Sequence, residues 1–279
     1  MTELFTTSGV RLRRRIERPG SLSWLLLPGG PGLGSESMFE LADILDVPGS
    51  IWMVDLPRDG SNLHPPVASP AAFDAWPGVL VEAAKELPQP VFVGHSTGGM
   101  YLLSVPELES HLVGMALVSS APDAGWRRPF FEMTKQKPLP GVEAAAKVYE
   151  AEKTAEALRE LTIESAPWNF LPSSLEVGRE VLRRLPYCVA AVDWSDQHFD
   201  DTYIAQWWPR SQPTLIVSGA EDQVVTQTLW ERDEYQTPNV VRRTIADAAH
   251  FPWLENPQAV RSAFRELADR IEVPVARVR

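Results

Sequence analysis

Pro90-Val-Phe-Val-Gly94-His95-Ser96-Thr97-Gly98-Gly99 reads as a short apolar strand, a glycine-bounded turn and the opening of a helix. The run Pro90 to Gly94 is continuously apolar, as suits a strand buried on both faces. Thr97 to Val105 has helical spacing and stops at Pro106. So sharp a turn brings the strand and helix backbones together. A side chain two residues before or after Ser96 would collide, so glycine is wanted at 94 and 98. The turn holds Ser96 in a strained conformation with its hydroxyl projecting past the end of the strand. The Thr97 N–H then sits at a helix start, where free N–H groups favour an oxyanion.

The same alternation of strand and helix extends in both directions. Ser21 to Leu27 is a strand stopped by the tight loop Pro28-Gly29-Gly30-Pro31-Gly32. Ser37 to Leu45 is helical in spacing, Ser50 to Leu56 is a strand and Ala71 to Leu87 an amphipathic helix. Leu112 to Ser119, Pro213 to Ser218 and Val240 to Ile245 are further strands, and Phe264 to Ile271 lies in a final helix. Apolar strands alternating with helices specify an α/β fold, a mostly parallel central sheet flanked by helices. Glu3 to Glu17 reads as a hairpin on the edge of that sheet. Its basic run, Arg11 to Arg18, reads as an edge strand with an exposed cationic face.

From 121 to 208 the rhythm breaks. Helical pieces (Val142 to Leu161, Ser174 to Leu185) and Trp126, Trp168, Trp194, Trp207 and Trp208 fill this stretch without a strand. A crossover between parallel strands needs only about a dozen residues. The excess reads as an inserted helical cap over a core made of 1–120 and 209–279, because long insertions in compact domains are usually functional.

Composition bounds the partners. The 279 residues carry a net charge of −11 with 44% hydrophobic and 23% charged side chains, an ordinary soluble globular composition. An acidic surface repels phosphate backbones and anionic lipid, so neither nucleic acid nor a membrane is an expected partner. The start, Met1 to Val10, lacks the pattern of a signal peptide, and no apolar run is long enough to span a bilayer. The single cysteine, Cys188, excludes an intrachain disulfide and a cysteine metal cluster, and fits a cytoplasmic location. Oligomeric state is left open.

A serine hydroxyl is a weak nucleophile and needs a base beside it. His95 adjoins Ser96 and points away from it, and His64 reads as an exposed loop residue. His250, in Ala246-Asp247-Ala248-Ala249-His250-Phe251-Pro252, follows the last strand and so reaches the same sheet edge as Ser96. The base needs an acid to fix its tautomer. Asp222, one short turn beyond Ser218, is the first choice, with Glu221 and Asp123 also within reach. A second oxyanion N–H should come from the loop after Leu27. Pro31 has none, which leaves Gly30, with Gly29 as the fallback.

The loop Gly29-Gly30-Pro31-Gly32, the elbow Gly94-His95-Ser96-Thr97-Gly98, the turn Gly219-Ala220-Glu221-Asp222 and His250 resemble, in that order, the α/β-hydrolase fold family over nearly the whole chain. The resemblance implies a Ser96–His250–Asp222 triad, an oxyanion hole of Gly30 and Thr97 N–H groups, and no metal or organic cofactor. The glycine loop also resembles the prolyl iminopeptidase branch. That branch has a histidine where Pro28 stands, a glutamate where Gln223 stands and a Gly-Gly-Ser-Trp-Gly elbow. These departures turn the reading toward a small ester, lactone or amide. Ser96 turns it away from the aspartate-nucleophile epoxide hydrolases and dehalogenases. The same triad also supports lyase or cofactor-free oxygenase chemistry. A tryptophan-rich cap implies an enclosed apolar pocket for a small molecule, with Gly29, Trp126, Trp168 and Trp194 as expected substrate contacts.

Overall fold

Eight strands form one sheet in the order β1-β2-β4-β3-β5-β6-β7-β8. They are β1 (Glu3–Phe5), β2 (Arg11–Glu17), β3 (Ser23–Leu27), β4 (Ser50–Asp55), β5 (Pro90–His95), β6 (Gly114–Val118), β7 (Thr214–Gly219) and β8 (Val240–Ile245). The computed structural model describes residues 2–65 and 73–272. β1 and β2 pair antiparallel, as do β2 and β4, and every other pairing is parallel. All residues of β3, β5, β6 and β7 are buried, which is why these strands read as unbroken apolar runs.

Side chains alternate between two cores. Trp24, Leu26, Val91, Val93 and Val217 pack on one face with α1 (Phe39–Ile44) and with helices nearer the carboxyl end. Leu25, Leu27, Phe92, Leu117 and Ile216 pack on the other with α2 (Trp76–Glu86) and α3 (Thr97–Leu103). Burying a side chain of this size contributes roughly 1.5–3 kcal/mol, so the period of two fixes which face each residue must take. The expected start of α2, Ala71, lies outside the described residues.

Between β6 and β7 run α4 (Arg127–Gln136), α5 (Pro140–Glu152), α6 (Ala155–Glu164), α7 (Ala166–Asn169), α8 (Leu175–Arg183) and α9 (Val189–His198). The helix expected over 142–161 is two helices, α5 and α6. Lys153 takes a left-handed conformation (φ 48°), and Thr154 caps α6 by accepting the Ala157 N–H. After β8 come α10 (Pro252–Glu255) and α11 (Pro257–Glu272).

The arginine run needs correction. β2 lies inside the sheet, between β1 and β4, and β1 is the edge. Arg11 and Arg13 are mostly covered and bind the buried Asp55 carboxylate at 3.1 and 2.8 Å, and Arg13 also binds Glu36 at 2.7 Å. The face is neutralised, because an unpaired carboxylate at the end of β4 would be too costly to bury.

Strand order reverses direction between β3 and β5. The loop after β3 and the turn after β5 therefore open side by side at the carboxyl edge, the place where such sheets hold ligands.

Candidate active site

Ser96 sits at φ 49°, ψ −122°, between β5 and α3. A non-glycine residue there carries about 1–3 kcal/mol of strain. Strand β6 and the segment just beyond it hold it in place: the Ser96 N–H donates to Val118 O at 2.8 Å, and Ser120 Oγ donates to Ser96 O at 2.8 Å. A Cβ on Gly94 would come within 2.5 Å of the Gly99 backbone, and one on Gly98 within 2.4 Å of Pro28 O. The elbow thus needs both glycines, and Gly98 also lets the end of β3 approach.

His250 lies on the turn after β8, and its Nδ1 is 3.1 and 3.2 Å from the two Asp222 carboxylate oxygens. The side chains are only 5% and 1% exposed. A carboxylate can only accept, so the imidazole proton lies on Nδ1 and Nε2 is left as an acceptor. Asp222 is itself fixed, because its Oδ1 accepts the Val224 and Val225 N–H groups at 2.9 and 3.0 Å. The two alternative acids are otherwise engaged. Glu221 accepts the Ala248 N–H at 3.2 Å, and Asp123 binds Arg232 at 2.5 Å while capping Gly125.

His95 makes no hydrogen bond to the Ser96 hydroxyl among the described residues, lines the same cavity, and has a role of its own. Its Nε2 lies 3.1 Å from His250 O. A carbonyl accepts only, so Nε2 carries the proton. Burial, with His250 nearby, holds the His95 pKa well below its ordinary value, and the ring is neutral.

Ser96, Thr97, His250 and Gly30 line one cavity of about 210 Å³. Among the described residues no hydrogen bond joins Ser96 Oγ to His250, a contact that commonly tightens only around substrate. Neither the Gly30 nor the Thr97 N–H is taken by another acceptor among the described residues, and Thr97 Oγ1 donates to Gly30 O at 3.3 Å. Gly29 is placed differently from its expected role. It packs behind the elbow, where a Cβ would meet Ser96 Cβ at 2.8 Å, and it does not line the cavity.

The walls come from both the sheet edge and the insertion. Leu33, Leu182 and Phe251 are apolar, as are Trp126, Phe130 and Val224, and Thr162 and Asn169 are polar. Of the three expected tryptophans only Trp126 is there. Trp168 stands behind Phe130 (5.9 Å, edge-on) and donates to Lys137 O at 3.0 Å. Trp194 belongs to the other core, against Trp76 at 5.6 Å, with its N–H on Asp74 at 2.9 Å. Phe251 had a sequence signal, being adjacent to His250, whereas Phe130, Thr162, Asn169 and Leu182 had none beyond lying in the insertion. A larger groove of about 410 Å³ lies at the opposite end of the sheet, around Pro213, Asn239 and Arg270. No cluster of three potential metal ligands occurs among the described residues, and none of their helices is long and apolar enough to cross a membrane.

The alpha/beta hydrolase family model matches residues 24–263, and the chain belongs to that family. No curated protein matches it in sequence. Among solved structures it is similar to a proline iminopeptidase-related protein from Thermus thermophilus (18% identity, TM-score 0.69, covering 97% of this chain and 99% of that one). It is also similar to a thermophilic esterase from Thermogutta terrifontis (20%, TM-score 0.63, 97% and 98%). A Bacillus megaterium epoxide hydrolase has the same fold (15%, TM-score 0.61, 96% and 100%). Identities this low establish the fold.

Proposed function

We propose that the chain is a serine hydrolase that cleaves a small, uncharged ester, lactone or amide through an acyl-enzyme on Ser96. The observation that carries this is the wall of the cavity. Apart from the imidazoles, none of the side chains around Ser96 is ionisable, and most are apolar. Such a site admits a neutral substrate and excludes a charged one, whose desolvation nothing would offset.

In the first step Ser96 Oγ bonds to the substrate carbonyl carbon while His250 Nε2 takes its proton. The carbonyl oxygen becomes an oxyanion held by the Gly30 and Thr97 N–H groups, each such donor being worth about 3–4 kcal/mol of barrier. His250 then returns the proton to the leaving alcohol or amine as the carbon–heteroatom bond breaks. Water, deprotonated by His250, attacks the acyl-enzyme, and Ser96 regains its proton. Asp222 stabilises the imidazolium in both halves. No step calls for a metal or an organic cofactor. The insertion, 121–208, acts as a cap that supplies Trp126 and Phe130 to the acyl or leaving-group side. The acidic surface and lone cysteine favour a small-molecule substrate in the cytoplasm.

An aminopeptidase needs a carboxylate for the substrate's free amine. Gln223 stands at the expected position, and its amide oxygen is bound by the Lys137 ammonium. A neutral amide already engaged by a lysine supplies no carboxylate for an amine, so we rank esters above N-terminal amides.

Treating wild type and Ser96→Ala with a fluorophosphonate tests the nucleophile. The wild type takes the label and the variant does not; equal labelling would discard Ser96. Turnover of proline amides well above every ester in a panel of acyl chain lengths would overturn the substrate ordering.

A further inference from the structure

We propose that Glu255 is a positioning residue that fastens the His250 segment to the helical insertion, an inference resting on the reading of His250 as the base. Glu255 closes α10, five residues after the histidine. One carboxylate oxygen accepts the Ala249 N–H at 2.5 Å and the other accepts the Leu171 N–H at 2.7 Å. Ala249 immediately precedes His250, and Leu171 belongs to the insertion, just beyond α7. A second tie runs directly between the same two segments: the His250 N–H donates to Asn169 O at 3.1 Å. Between them, Phe170 stacks on Phe251 at 4.9 Å with 22° between the rings.

Both partners of Glu255 are backbone donors, so the bridge calls for a group that accepts on two oxygens and donates nothing. An ionised carboxylate meets that need, and its charge-assisted bonds are about twice as strong as neutral ones. The base therefore sits where the insertion is seated. A shift of the Asn169–Leu171 segment is transmitted to His250 through one carboxylate and one direct bond. The seating of the insertion thereby sets the alignment of Nε2 with Ser96.

Glu255→Gln tests this. The amide keeps the shape and one acceptor, but its NH₂ faces a backbone N–H and half of the bridge is lost. The expected result is a fall in kcat on p-nitrophenyl acetate of roughly 10- to 100-fold, the scale of an alignment error. KM stays within about twofold, since uniform binding is untouched. The rate of fluorophosphonate labelling at Ser96, normalised to folded protein by near-ultraviolet circular dichroism, falls by the same factor. Glu255→Asp keeps the charge but is too short to span both N–H groups, and it shows the same loss. A Gln variant that labels and turns over at the wild-type rate per folded molecule would overturn the proposal, even if its melting temperature dropped. Absence of labelling in the wild type would instead overturn the assignment of Ser96, and this inference with it.

Discussion

The Nε2 atom of His95 lies 3.1 Å from the carbonyl oxygen of His250, so the residue preceding the elbow serine holds the backbone of the histidine that shares its cavity. Replacing His95 with Ala leaves that carbonyl unpaired and opens a void, at a cost of about 3 kcal/mol in chemical denaturation. Burial holds the folded His95 pKa well below 6.5. The unfolded chain therefore binds a proton that the folded chain refuses. The associated stability is fully present above about pH 6.5 and is lost progressively as pH falls below it. His95→Gln retains a donor but does not titrate. Its denaturation midpoint should fall less than that of the wild type between about pH 7 and pH 5.

Asp222→Asn should leave the fold intact and lower kcat on the order of 10⁴-fold. The reason is local. The amide oxygen stays with the Val224 and Val225 N–H groups, which turns the NH₂ toward His250 Nδ1. The imidazole must then put its proton on Nε2, where it cannot accept from Ser96. Ester hydrolysis across pH, with circular dichroism as the control, checks this.

Two glycine-to-alanine changes should act in opposite directions. Gly98→Ala drives a methyl into Pro28 O at 2.4 Å, which separates the elbow from the Gly30 loop. Its expected cost is about 3 kcal/mol, with loss of activity. Gly78 lies in α2 with open space around a Cβ, so Gly78→Ala should stabilise by about 0.5–1 kcal/mol. Urea denaturation of both variants reads the two signs.

The placement of the aromatic residues predicts a split in substrate profile. Phe130→Ala removes a cavity wall and should move the preferred p-nitrophenyl ester toward longer acyl chains. Trp194→Phe, which alters only the opposite core, should leave the chain-length optimum of kcat/KM where it was. An optimum that moved with Trp194 instead would place the acyl site elsewhere.

The strands, the elbow and the run of helices between β6 and β7 were legible in the sequence because each is encoded locally. Continuous apolar runs, helical spacing and glycines flanking Ser96 act within about ten residues, where backbone sterics and period set the outcome. Other assignments depended on contacts made across the chain. Spacing left Asp222, Glu221 and Asp123 open as the acid. Only the fold turned Asp222 to His250, Glu221 to Ala248 N and Asp123 to Arg232. Adjacent residues point in widely different directions, so one position decides whether a carboxylate meets its partner. Trp168 and Trp194 missed the cavity for the same reason, because how the inserted helices pack against the sheet determines which face each presents. The cationic face expected of Arg11 to Arg18 was likewise offset by carboxylates distant in sequence: Asp55, which pairing β2 with β4 brought opposite Arg11, together with Glu36 on Arg13 and Asp43 on Arg15. Local sequence determined which elements form and where the elbow serine sits. Tertiary packing decided which side chains surround it, because that depends on directions and distances no short stretch contains.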